Sequence, residues 1–366
     1  MRFPEFCGEW KKCTINDLAT VVGGGTPDTT VKSYWGGDIQ WFTPSEIGKN
    51  KYVDFSLRTI TRDGLDNSSA KLLPLHTILL SSRATVGECS IASNECTTNQ
   101  GFQSLIAKQC NIDFLYYLIQ TKKKDLIRNA CGSTFLEISA NEIRKIKVAV
   151  PVQNEQEQIA KLLSLVDERI ATQNKIIEDL KKLRSAIAEI LFESIQGHTV
   201  CLSDICTILK GQQINGDCLS DTGKYYVMNG GIEPSGYYDK CNVTAETISI
   251  SEGGNSCGYV QFNASPFWSG GHCYTLNDIN SNADGRYLYH FLKSHESAIM
   301  KLRIGTGLPN IQKKDLEKFN VTLPSMAIQK STSAFLAALE NKVINEEELL
   351  GKIQAQKQYF LSQMFI

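Results

Sequence analysis

Five histidines and twelve cysteines are the side chains in this sequence best suited to hold a metal or act as nucleophiles. Their spacing argues against both roles. His76, His198, His272, His290 and His295 form no His-Glu-x-x-His pattern, and the cysteines include no Cys-x-x-Cys pair. Most cysteines are expected to be small, reduced, buried residues. No Gly-x-x-x-x-Gly-Lys-Ser/Thr phosphate loop occurs, and Gly23, Gly24 and Gly25 do not make a dinucleotide fingerprint. The Asn-Pro-Pro-Tyr/Phe tetrad that grips a flipped adenine and the Pro-Asp, Asp/Glu-x-Lys pattern of nucleases are also missing. The sequence therefore points to no catalytic residue and no metal ligand.

The elements that carry these residues are set by length and periodicity. A chain of 366 residues suits two domains with connecting elements. No apolar run approaches the roughly 18 residues of a membrane span, and Met1–Trp10 lacks a basic-then-apolar leader, so a soluble intracellular protein is expected.

One arrangement occurs twice. The stretch "RKIKVAVPVQNEQEQIAKLL" from Arg144 and the stretch "EKFNVTLPSMAIQKSTSAFL" from Glu317 each run a short strand into a proline and then into a long helix. At an offset of 173, Ser133 falls on Thr306, Ile138 on Ile311, Val148 on Val321, Pro151 on Pro324, Gln156 on Gln329, Asp167 on Glu340 and Phe192 on Phe365. Earlier segments echo more weakly, "INDLATVVGGG" with "LSDICTILKGQ" and "VGECSI" with "CGYVQF", at shifting offsets. The predicted order is a mixed, strand-rich domain over 1–150, a long helix over 151–196, a second domain over 197–323 and a second long helix over 324–366.

Each helix carries a narrow apolar stripe. Val166, Ile170, Ile177, Leu180, Ile187 and Leu191 recur at three- and four-residue steps, with Gln173 and Arg184 as polar breaks. Leu339, Val343, Leu350, Ile353, Phe360 and Met364 repeat the pattern, broken by Glu346 and Lys357. The predicted fold is α+β: two mixed, strand-rich domains separated by two long helices packed as an antiparallel coiled coil, with a pseudo-twofold internal repeat. The register that aligns the breaks sets Ile177 against Ile353 and Leu180 against Leu350, with Arg184 opposite Glu346 and Gln173 opposite Lys357. Two separate helices, each packed on its own domain, are the alternative.

The joins "GSTFLEISANEIRKIKVAVPVQNEQEQI" and "GTGLPNIQKKDLEKFNVTLPSMAIQ" on a domain, helix, domain, helix plan resemble the specificity subunit of a type I restriction and modification system. Inside the domains, "GGGTPDTTVKSYWGGDIQWFTPSEI", "SSRATVGECSI", "TTNQGF", "SISEGGNSCGYVQF" and "PFWSGGHCYTL" resemble that family's target-recognition domains. The resemblance implies a non-catalytic prokaryotic cytoplasmic protein that reads an asymmetric bipartite target in double-stranded DNA. Each recognition domain would read one half-site, and the helix pair would hold the spacing. It also implies two modification subunits that bring S-adenosylmethionine, and two restriction subunits with ATP and Mg where the system cleaves. No cofactor belongs to this chain itself.

On that reading, base edges call for Arg, Lys, Asn, Gln, Ser and Thr on loops, and phosphates for cations or glycine-rich turns. The first domain offers Thr26, Lys32, Ser81, Ser82, Arg83, Asn99, Gln100 and Lys122, the last in a run of three lysines. The second offers Lys210, Gln212, Gln213, Asn215, Asn229, Asn255 and Ser256. Arg83, between a strand-like run and a turn, suits a bidentate guanine contact. Trp35, Trp41, Tyr34 and Phe42 read as core and turn packing. A net charge of −1 is no basic footprint, so cations must be sorted locally and the lone chain should bind DNA weakly. The rival readings are a structural scaffold repeat, and half of a fused methyltransferase or nuclease.

Overall fold

The computed structural model describes residues 2–132, 136–305, 307 and 309–365. The matched pair Ser133 and Thr306 lies outside them. The chain divides into two compact units, one of Met1–Asn174 with Glu348–Ile366 and one of Lys175–Glu347. Each unit thus contains a strand-rich domain and a segment of both long helices, Gln153–Ser194 and Met326–Met364.

In the first unit a five-stranded sheet runs in the order Ala19–Gly23, Gln103–Ala107, Ile78–Leu80, Cys89–Ala92, Tyr52–Val53. A smaller sheet of Arg58–Ile60, Trp35–Phe42 and Cys96–Thr98 packs Trp41, Ile60, Leu65 and Ala70 together. In the second unit the main sheet is Thr207–Lys210, Cys273–Asn277, Thr247–Ser251, Val260–Asn263, with a smaller one of Tyr237–Tyr238, Tyr225–Met228 and Trp268–Ser269. Strand Thr247–Ser251 is buried at every position, which suits its place between two partners.

The strand-to-helix joins are built alike. Lys147–Val150 pairs antiparallel with Lys11–Thr14, and Asn320–Leu323 pairs with His198–Cys201. In both, alternation turns Val148 and Val150, or Val321 and Leu323, into the core. The glutamine five residues past each proline is buried and clamps the junction. Gln156 Nε2 donates to the Pro151 carbonyl at 3.0 Å while its Oε1 accepts from Asn111 N at 3.0 Å. Gln329 Nε2 donates to the Pro324 carbonyl at 3.0 Å and its Oε1 accepts from Asp284 N at 2.8 Å. Asn111 and Asp284 are in turn the N-caps of helices Ile112–Thr121 and Gly285–Ser294. Asn111 and Asp284 are themselves 173 apart, so the constant offset reaches further back than the joins.

The ends of the long helices close the cores. In the first unit Phe365 lies 5.2 Å from Phe114 and 6.3 Å from Trp10, ring centre to ring centre. In the second, Phe192 lies 5.6 Å from Tyr287. These are the same contact in both copies, because Phe192 corresponds to Phe365 and Phe114 to Tyr287.

The two helices run antiparallel: Lys181 pairs with Glu347 at 2.6 Å and Arg184 with Glu340 at 3.8 Å, so one number rises as the other falls. Arg184 and Lys357 each form an ion pair with a carboxylate near the residue expected opposite it. Arg184 reaches Glu340, six residues from Glu346, and Lys357 reaches Asp167 at 2.7 Å, six residues from Gln173. Glu346 takes Lys342 on the next turn, and Gln173 is buried in contact with other groups. Each of the two carboxylates has a third partner. The Tyr117 hydroxyl donates to Asp167 at 2.7 Å and the Tyr289 hydroxyl to Glu340 at 3.2 Å, so each carboxylate joins a helix of its strand-rich domain to the helix pair. Asp167 with Lys357 and Glu340 with Arg184 are again one pair seen twice at offset 173.

His290 stands where the first unit has Tyr117. It is buried, its Nε2 has no hydrogen-bond partner among the described residues, and burial, with Arg286 and Arg184 nearby, holds its imidazole down from 6.5 to about 4. The folded state thus keeps it neutral while the unfolded chain protonates it below about 6.5. Stability from this group is present above that pH and is lost as pH falls toward 4, a difference of about 3 kcal/mol. Urea unfolding at pH 7 and pH 4.5 should show a larger acid loss in the wild type than in His290→Phe; equal losses would refute the assignment.

The cysteines divide. Cys89, Cys96, Cys110, Cys206, Cys257 and Cys273 are buried, and burial pushes the Cys96 and Cys206 thiols up to about 12. Cys7, Cys131, Cys218 and Cys241 are exposed, so burial accounts for only part of the cysteine content.

Candidate nucleic-acid interface

In the first unit three loops meet at one end of the main sheet. The backbone carbonyl of Thr98 accepts from Gly25 N at 2.8 Å, and a Cβ on Gly24 would lie 2.1 Å from the Asn99 carbonyl oxygen, so glycine permits the approach. Asn99 Oδ1 accepts from Gly101 N at 2.8 Å, and the Gly101 carbonyl accepts from Ser82 N at 2.8 Å. Thr26 hydrogen-bonds Gln100. Thr26, Arg83, Asn99 and Gln100 are thereby gathered on one loop surface.

Ser81 and Ser82, expected among the contacts, are corrected by burial. Both are fully enclosed; Ser81 Oγ donates to the Arg83 carbonyl at 2.8 Å, so these serines shape the turn instead of facing outward. Arg83 continues past them into solvent and pairs with Glu137 at 2.8 Å, with side chains 45% and 41% exposed. An ion pair that open is worth only up to about 1 kcal/mol, so the guanidinium is free to exchange Glu137 for another acceptor. Lys32 is exposed on the short turn Lys32–Tyr34. Lys122 closes helix Ile112–Thr121, and its neighbour Lys123 pairs with Glu88 in the turn after Arg83.

Trp41 is core, as expected, and donates from Nε1 to the Gly25 carbonyl at 2.9 Å, bracing the glycine loop. Trp35 is half-buried and carries the Arg58 guanidinium 3.7 Å above its ring.

The second unit repeats the arrangement with other chemistry. Gly211 N donates to the Cys273 carbonyl at 2.8 Å, and a Cβ on Gly211 would stand 2.2 Å from the Gly270 oxygen. Gln212 N donates to the Ser269 carbonyl at 2.8 Å, and Trp268 Nε1 donates to the Gln212 carbonyl at 3.0 Å. Asn229 Oδ1 accepts from His272 N at 3.2 Å. Lys210, Gln212, Gln213 and Asn229 therefore share one surface. Asn215 caps the turn Gly216–Cys218, while Asn255 and Ser256 lie on the turn after Gly253.

The sequence reading missed Glu137, Asn310, Glu252 and His272. The first two had a signal, since they are 173 apart and occupy the same bridge, Arg83 with Glu137 and Gly253 with Asn310. Glu252 and His272 had none, because only strand pairing brings them beside Lys210.

The family profile described as "Type I restriction modification DNA specificity domain" matches residues 8–182 and again 197–355. The chain belongs to this family. The match falls once on each half of the repeat, so the chain is a type I specificity subunit with two specificity domains. It is similar to the specificity subunit of the type I restriction enzyme MjaIX of Methanocaldococcus jannaschii, 28% identical over 93% of this chain and 89% of the relative. The EcoprrI specificity subunit of Escherichia coli is 23% identical over 90% of this chain and 86% of its own length. The crystal structure of an S subunit from M. genitalium superposes with a TM-score of 0.61 at 21% identity, covering 100% of this chain and 99% of that one. At such identity the structural likeness speaks for the fold alone, and it is this α+β fold that the specificity subunits share.

Proposed function

We propose that this chain reads an asymmetric two-part sequence in double-stranded DNA, the first half through the loops bearing Thr26, Arg83, Asn99 and Gln100 and the second through those bearing Lys210, Gln212, Gln213 and Asn229. The observation that supports this reading is the recurrence of one loop group at the same end of two related sheets, with unlike side chains in each. Like scaffolds with unlike contacts recognise unlike half-sites, and two joined readers fix their separation. The helix pair docks two modification subunits, and restriction subunits join where the system cleaves. S-adenosylmethionine, ATP and Mg enter with those partners, as does much of the positive charge that a chain of net charge −1 lacks. No helix among the described residues is long and apolar enough to cross a membrane, and the proposed site of action is the prokaryotic cytoplasm, where the DNA lies.

Arg83→Ala tests the reading. In the chain co-produced with its modification subunits, genome-wide mapping of methylated adenine should show one position of the first half-site relaxed by about 10- to 100-fold, the worth of a bidentate guanine contact. The second half-site should be unchanged. Equal loss in both halves would mark Arg83 as a folding residue and remove it from the interface.

A further inference from the structure

The second loop group holds a buried carboxylate for which the first has no counterpart. Ile311 N donates to the Glu252 carbonyl at 2.8 Å as Ile138 N donates to the Ser82 carbonyl at 3.0 Å, and Ser251 N bonds Tyr259 O as Ser81 N bonds Glu88 O. Glu252 and Ser82 are therefore the same backbone site. One carries a neutral hydroxyl, the other an acid.

Glu252 is only 10% exposed at its side chain, and its Oε1 lies 2.6 Å from Lys210 Nζ and 3.1 Å from the Tyr274 hydroxyl. Its Oε2 lies 3.7 Å from His272 Nδ1 and has no hydrogen-bond partner among the described residues. A carboxylate out of water is costly unless cations or donors meet it. Here the partners remain open on their far sides: Lys210 is 51% exposed and His272 is 61% exposed. The acid is enclosed, and the Lys210 ammonium and the His272 ring face outward beside Asn229 and Gln212.

We infer that Glu252 is a positioning residue for base reading: it fixes Lys210, with His272 beside it, so that the second recognition domain demands a guanine in its half-site. Two physical points carry this. A lysine tethered at one donor has fewer rotamers to lose on binding and keeps two donors for an acceptor-only edge, which guanine presents through N7 and O6. The buried carboxylate also offsets the ammonium charge, which weakens attraction to a phosphate but leaves directional hydrogen bonding to a neutral base intact. The inference rests on the proposed function and names part of its second half-site.

The test is the complex with its modification subunits, prepared with the wild-type chain, Glu252→Gln, Lys210→Met and the double variant, each followed by mapping of methylated adenine and by thermal melting. The expected wild-type motif has guanine in the second half. Both single variants should let other bases in at that one position, with discrimination falling from about 100-fold to about 10-fold or less. The double variant should relax no further than Lys210→Met, because Glu252 acts through the lysine. Unchanged discrimination would overturn the inference. So would even loss across all sites with a shallower salt dependence, the mark of a phosphate contact, or loss in both halves together with a lowered melting temperature. A wild-type complex that methylates no two-part motif would overturn the proposed function and this inference with it, whereas an intact wild-type motif that the variants leave unaltered overturns the inference alone.

Discussion

Exchanging residues 1–150 for the corresponding domain of a relative with another target should replace one half of the methylated motif and leave the other half unaltered. The expectation follows from how the first unit is held together. Its sheet and helix Ile112–Thr121 share one core with Ile159, Ala160 and Leu163 of the first long helix and with Leu361 and Met364 of the second. The loops that carry Thr26, Arg83, Asn99 and Gln100 lie at the end of that sheet, and their glycine contacts are all to residues of the same domain. An incoming domain therefore brings its own loops. It must also offer an apolar face to Ile159, Leu163 and Leu361, and a tyrosine hydroxyl for Asp167, or the graft will fold poorly. Adenine methylation mapping in the co-produced complex reads the outcome. A graft that melts normally yet changes both halves of the motif, or neither, would refute the assignment of one half-site to each domain.

Replacing Gln156 or Gln329 by alanine should lower stability by about 2–4 kcal/mol in either case, since a buried acceptor and a buried donor lose their partner at once. Pro151 O and Asn111 N are left at one join, Pro324 O and Asp284 N at the other. Both variants also loosen the link between a helix N-cap and the long helix. Gln156→Ala should therefore erode reading of the first half-site, and Gln329→Ala the second. Gln153→Ala is the control, because Gln153 is exposed and its hydrogen bond to Glu157 at 3.0 Å is on the helix surface. Denaturant unfolding of the three variants decides the matter: if Gln156→Ala and Gln329→Ala unfold as easily as Gln153→Ala does, the clamp is not a structural device.

The strand-to-proline joins, the two long helices and the 173-residue offset could be read directly from the sequence, for each is a one-dimensional pattern whose physics is local. A valine alternation fixes which face of a short strand is inward, a proline starts a helix, and an apolar step of three or four marks a seam. At Gly24 and Gly211 only glycine tolerates the approach of another backbone, an approach that the folded domains reveal.

What the tertiary structure alone decided was which side chains on those loops face outward and what they touch. Ser81 and Ser82 look the same as Arg83 in a list of polar loop residues, yet the sheet end encloses the serines and lets the arginine out. Arg184 and Lys357 were visible as breaks in an apolar seam, but their partners Glu340 and Asp167 are chosen by tyrosines on helices of the recognition domains. Lys210, Glu252 and His272 are far apart in the sequence, and they meet because strand Cys273–Asn277 pairs with both Thr207–Lys210 and Thr247–Ser251. Periodicity along a chain determines its elements; the burial of a carboxylate between a lysine and a histidine depends on which strands lie side by side, and that follows from packing of the whole domain.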